Sequence, residues 1–158
     1  MSSPPKLPAL DPGSLPLKGG SSYPPSFRDA VQGRRWRALG DAVGLTQFGV
    51  NLVELAPGSW SSQRHWHTHE DELVYVLEGE LVLVSDEGEQ TLRAGSAAGF
   101  PAGKENGHHL VNRGDKPARF LAIGSRSSAD SCFYPDIDLI ERQDASGYYY
   151  TRKDGTRY

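Results

Sequence analysis

All five histidines of this 158-residue chain fall between positions 65 and 109, at His65, His67, His69, His108 and His109, and an acidic run, Glu70, Asp71 and Glu72, follows the first three. Imidazole nitrogens and a carboxylate suit divalent first-row transition metals, so the pattern reads as a site for one iron, manganese, zinc or nickel ion built from two segments. In an extended strand, residues i and i+2 share a face while i+1 points away, so His65 and His67 look the same way, with Gln63 before them. Thr68 to Asp71 is polar and reads as a turn; Glu72 then leads the apolar run from Leu73 to Leu77 and enters from the next strand. In the second segment, if His108 faces inward with Leu110, His109 faces outward. These parities predict His65, His67, Glu72 and His108 as the ligand set. His69 and His109 fall at the surface or behind a ligating ring, and Glu70 and Asp71 receive no chemical role. The plainer alternative is that the histidines are packed side chains holding no ion.

Gln63, on the inward face, is a candidate to hydrogen-bond a substrate or a bound water, and Lys104, in the loop before His108, is a candidate to meet an anionic group. Trp60, Trp66 and Tyr75 lie close by in sequence; Trp66 and Tyr75 have the parity opposite to His65 and Glu72, which favours packing over an aromatic wall.

At these residues the chain resembles the cupin superfamily. Its first motif is matched by Gly58, His65, His67, Glu72 and Gly79, with six residues between Gly58 and His65 where five is usual. Its second is matched by Gly95, Pro101, Gly103, His108 and Asn112, with a two-residue insertion within Lys104 to Gly107. The resemblance runs from about Leu45 to Gly124. Further segments, Gly33 to Trp36, Cys132 to Asp136 and Tyr149 to Gly155, look like the flanks of small bacterial members that carry a sugar-phosphate isomerase label. It implies an all-β double-stranded β-helix, a jelly-roll barrel, with a metal held by three histidines and one glutamate.

The elements that must position these residues follow from short β-rich runs alternating with turn signals. Runs are predicted at 47–55, 62–67, 72–77, 81–84, 90–93, 97–100, 108–111 and 119–123, with turns at Pro57-Gly58, Glu78-Gly79, Ser85 to Gly88 and Asn112 to Asp115. Many short strands at regular spacing mean a sandwich or barrel. The first 26 residues hold seven of the eleven prolines and read as an extended arm. Residues 27–44 form a lead-in that fits either a helical turn or an edge strand, 45–124 the barrel, and 125–158 an extension whose apolar patches pack on the barrel outside.

One domain is the natural expectation at this length. A net charge of -3, with no basic cluster beyond Arg34-Arg35-Trp36-Arg37, argues against nucleic acid as a partner. The sequence has no run of 18 apolar residues and no leader with a cleavage site, so a cytoplasmic protein off the membrane is expected. Cys132 is alone, which excludes an internal disulfide and a CxxC pattern. An arm that cannot fold alone and exposed sheet edges point to a homodimer, with the arm or the strand after it lying across the partner. Two functional classes follow. One is an enzyme acting on a small polar metabolite at the metal, as a dioxygenase-like oxidoreductase or an isomerase; the other is a non-catalytic binding or regulatory barrel whose metal is structural or absent. They differ by whether an inward acid or base beside the metal is not itself a ligand, and the sequence offers no strong candidate.

Overall fold

The computed structural model describes residues 8–158; the first seven residues of the arm lie outside the described residues. In chain order the strands are β1 (Lys18–Gly19), β2 (Arg34–Ala38), β3 (Phe48–Leu55), β4 (Trp66–His67), β5 (Glu72–Glu78), β6 (Glu80–Ser85), β7 (Gly88–Arg93), β8 (Ala97–Phe100), β9 (His109–Val111), β10 (Ala118–Ser125), β11 (Cys132–Tyr134), β12 (Leu139–Asp144) and β13 (Gly147–Thr151). A short α-helix, α1 (Leu39–Ala42), joins β2 to β3. The undecided lead-in is thus a 3-10 turn at Asp29–Val31, then an edge-side strand, then this helix.

Three antiparallel sheets form the jelly roll: β1-β2-β3-β10-β5-β8, β7-β6-β9, and β13-β12-β11-β4. Alternation explains the first. In β5, Val74 and Val76 are buried while Leu73, Tyr75 and Leu77 are exposed, a period of two with the even positions inward. Val53 and Leu55 of β3, Phe120 of β10, Leu81 and Leu83 of β6 and Leu110 of β9 close the interior against them. The β5–β6 turn depends on Gly79, which sits at φ 80°, where a Cβ would also come within 3.1 Å of Ala118.

The C-terminal extension does more than cover the barrel. β11 pairs with β4, placing Cys132 opposite His67 and Phe133 opposite Trp66, and β12 and β13 extend the sheet. The described part of the arm lies on its own barrel: β1 pairs with β2, and Tyr23 is buried against Val31, Cys132, Tyr134 and Leu139. Tyr23 finds an aromatic pocket within its own chain, with Tyr134 edge-on at 5.6 Å.

The predicted strand 62–67 is corrected. Only Trp66 and His67 are regular strand; Ser61 to Arg64 bend away, and His65 makes an isolated bridge to His108. Among the described residues no helix is long and apolar enough to cross a membrane.

Candidate metal centre

Three elements aim four side chains at one point. β4 and the bridge before it carry His65 and His67, the first residue of β5 is Glu72, and His108 stands just before β9. The Nε2 atoms of His65, His67 and His108 lie 3.1, 2.7 and 3.4 Å from a single atom, Oε1 of Glu72. The opposite ring nitrogens are all engaged. His65 Nδ1 lies 2.9 Å from the Gln63 carbonyl and 3.1 Å from Ser62 Oγ, His108 Nδ1 lies 3.0 Å from the Asn106 carbonyl, and His67 Nδ1 lies 2.7 Å from Asp130 Oδ2. A carbonyl can only accept, so for His65 and His108 the network assigns the proton to Nδ1 and leaves the Nε2 lone pair bare. Bare lone pairs facing a carboxylate oxygen satisfy nobody, and His108 Nε2 is indeed buried with no hydrogen-bond partner. A divalent cation resolves that conflict, so the donor set fits the ion that the sequence predicts.

The charge balance of the ion-free cluster says the same. Burial would raise the Glu72 carboxyl, but the facing imidazoles of His65, His108 and His67 hold it well below the usual carboxylate range. Burial would lower His67, yet its contacts with Glu72 and then Asp130 lift it to about 9. Without an ion, a protonated His67 offsets the Glu72 and Asp130 charges.

Asp130 escaped the sequence reading. It is buried, and its second oxygen accepts the backbone N–H of His69 at 2.8 Å, so it fixes both the ring of His67 and the turn after it. Arg64 escaped as well. Its guanidinium donates to both oxygens of Asp136 at 2.7 and 2.9 Å, to the Gly107 carbonyl at 3.0 Å and to Asp86, tying the loop that delivers His108 to a hairpin and to the C-terminal extension. These contacts, with Asp86 N–H donating to Asn106 at 2.9 Å, anchor the Lys104-to-Gly107 insertion.

The remaining sequence candidates divide. Lys104 lines a cavity of about 260 Å³ together with Trp66, His67, Glu70, Glu72 and His108. Gln63 does not: its side-chain amide donates to the Phe27 carbonyl and its backbone N–H to the Tyr23 hydroxyl, because the bend at Ser61 to Arg64 turns it towards the arm. His69 is exposed. His109, which parity turns outward, is buried, since the Trp60–Ser62 segment covers the outer face of β9: the Trp60 ring is 4.7 Å away and the Ser62 carbonyl 2.8 Å from Nδ1. Trp66 both stacks on Phe133 at 4.9 Å and lines the cavity, while Tyr75 is 40% exposed on the outer face.

Glu70 received no chemical role from the sequence. It lines the same cavity and accepts the Ser127 N–H at 2.9 Å, and burial raises its carboxyl above the usual range. Its nearest histidine contact is 3.9 Å, at His67 Nδ1, so it is not aimed at the convergence point. A second chamber of about 200 Å³ lies on the other side of the cluster and shares Glu72, Leu83, Phe100 and His108 with the first.

Residues 51–124 match the cupin domain family. A crystal structure from Silicibacter pomeroyi, described as a sugar phosphate isomerase from a cupin superfamily, is 51% identical, with a TM-score of 0.92 over 96% of each chain. A second crystal structure, from Acidithiobacillus ferrooxidans, is 30% identical, with a TM-score of 0.72 over 79% of this chain and 80% of that one. The tetracenomycin polyketide synthase protein TcmJ of Streptomyces glaucescens is 38% identical over 103 residues, 64% of this chain and 65% of the relative's length.

Proposed function

The chain belongs to the cupin superfamily, and from that premise we propose that it is a metal-dependent enzyme acting on a small polar metabolite, with an isomerase-type proton transfer as its chemistry. One observation carries the reading: three imidazole Nε2 atoms converge on Glu72 Oε1 beside a cavity that also holds a second carboxylate, Glu70, outside the cluster. His65, His67, Glu72 and His108 are the proposed ligands. A divalent transition metal held by them supplies Lewis-acid polarisation of a substrate oxygen.

The chain's own residues supply the rest. Asp130 holds the His67 ring in place through Nδ1. Phe100, stacked on His108 at 3.6 Å, and Leu83 give the cavity an apolar side next to the convergence point. Glu70 is the proton acceptor within the cavity, and Lys104, at the mouth, attracts anionic groups. The description of the 51%-identical relative supports isomerisation over the oxidoreductase reading. A homodimer is part of the proposal, supported by the exposed apolar stripe Leu73, Tyr75 and Leu77.

The test is metal analysis of protein purified without chelator or nickel affinity, followed by incubation of the manganese(II) and iron(II) forms with a panel of hydroxycarbonyl compounds in deuterated water. Deuterium incorporation without oxygen uptake supports the proposal. Oxygen consumption transfers the chain to the oxidoreductases. If nothing turns over, yet one metabolite raises the thermal midpoint and still does so in Glu72→Gln, the barrel is a binding protein.

A further inference from the structure

The second chamber, on the β2 side of the cluster, contains an arginine that forms no ion pair among the described residues. Arg34, the first residue of β2, lines it together with His65, Glu72 and His108, while Val74, Leu83 and Phe120 form apolar walls. Among the described residues its guanidinium makes no ion pair and no hydrogen bond; it lies over the Trp36 ring, 4.6 Å from the centroid, and its charge interacts with Tyr23. Two acids face this region. Glu72 is turned to the three histidines, and Glu141, in the cleft on the far side of Arg34, accepts the Tyr150 hydroxyl at 2.9 Å. His109, the other titratable ring in the chamber, bonds to the Ser62 carbonyl.

An arginine stays charged at any physiological pH, and a half-buried guanidinium with no carboxylate paired to it, set in a chamber partly walled by apolar side chains, draws an anion to it. Its planar fork of donors matches the paired oxygens of a carboxylate or phosphate. We propose that Arg34 is a substrate-binding residue that takes an oxyanion group, carboxylate or phosphate, of the molecule held at the metal centre, so that one end of the ligand sits on the guanidinium and the reacting end at the histidine cluster. This rests on the reading of His65, His67, Glu72 and His108 as that centre, and it narrows the substrate class to small anions. A chamber of about 200 Å³ admits such a group with a short carbon skeleton.

The experiment uses the full chain as wild type, Arg34→Gln and Arg34→Lys, each assayed for metal per chain and then titrated calorimetrically with inorganic phosphate and, separately, with acetate. The expected result is that one of the two anions binds the wild type, that Arg34→Gln weakens it by about tenfold or more, and that Arg34→Lys, which keeps the charge but loses the fork, falls between, with equal metal content throughout. Which anion binds identifies the group as phosphate or carboxylate. Equal affinity in wild type and both variants overturns the proposal, as does failure of both anions to bind the metal-loaded wild type. Should Arg34→Gln not fold, the weakening in Arg34→Lys decides alone. A chain that takes up no metal but binds anion through Arg34 refutes the metal centre and leaves the anion site standing.

Discussion

His67 Nδ1 and Asp130 Oδ2 lie 2.7 Å apart across 63 positions of sequence, joining the barrel wall to the turn that opens the C-terminal extension. The carboxylate makes the ring more basic and fixes its orientation, which strengthens Nε2 as a ligand. Asp130→Asn should therefore lower metal affinity by about tenfold or more while leaving the fold intact. Calorimetric titration of manganese(II) or zinc(II) into the variant checks this; unchanged affinity would make Asp130 a brace for the His69 N–H alone.

The two adjacent histidines of the second segment should behave differently. His108→Ala removes an Nε2 pointed at Glu72 and is expected to empty the site, as is His67→Ala. His109→Ala should retain full metal content yet lose about 1–3 kcal/mol of stability, because it vacates buried space against Trp60 and leaves the Ser62 carbonyl unmet. Metal analysis and denaturant unfolding of the same samples separate the two effects.

The pH dependence follows from His67. Its value is raised in the folded ion-free chain to about 9, so its contribution to stability is fully present below the ordinary imidazole value, near 6.5, and is lost as pH rises through 9. The ion-free protein should thus become less stable between those limits. Metal binding at pH 7 should release a proton, because the ligand is the neutral ring. Repeating the metal titration in buffers of different ionisation enthalpy measures that proton; no release would place the charge elsewhere in the cluster.

A dimer should appear by light scattering, with the outer face of β5 as its contact. Tyr75→Glu, on a side chain 40% exposed, is expected to give a monomer with normal metal content. A variant that keeps the dimer mass moves the interface elsewhere.

Local pattern carried much of the barrel and little of its connections. The alternation in Glu72–Glu78 and the Gly79 turn follow from parity and backbone freedom, and they place Glu72, Val74 and Val76 on one inner face. Parity failed upstream of His65, where Arg64 is drawn to Asp86, Asp136 and Gly107 and bends the chain, which turns Gln63 outward. It failed again at His109, since an outward side chain is buried once another segment covers it. Asp130 had no local signature: it lies in a polar stretch, and only the pairing of β11 with β4 brings it to His67. Arg34 read as one of a basic trio because the chamber it lines is built by strands that arrive later in the chain.

Arg64 supplies the last prediction. One guanidinium satisfies acceptors on three segments: the Gly107 carbonyl beside His108, Asp86 of the β6–β7 hairpin and Asp136 after β11. The two aspartates are half exposed, so their ion pairs add little stability by themselves. The larger effect is positional, because His108 hangs from a loop whose anchor is this side chain. Arg64→Met should therefore cost about 1–2 kcal/mol of stability, and it should weaken metal binding by more than that loss explains in a chain still fully folded. Arg64→Lys cannot span three acceptors with one ammonium and should recover stability better than affinity. If both variants lose stability and keep wild-type metal affinity, the loop that delivers His108 is rigid without Arg64, and the insertion holds itself through Asn106 and Lys104.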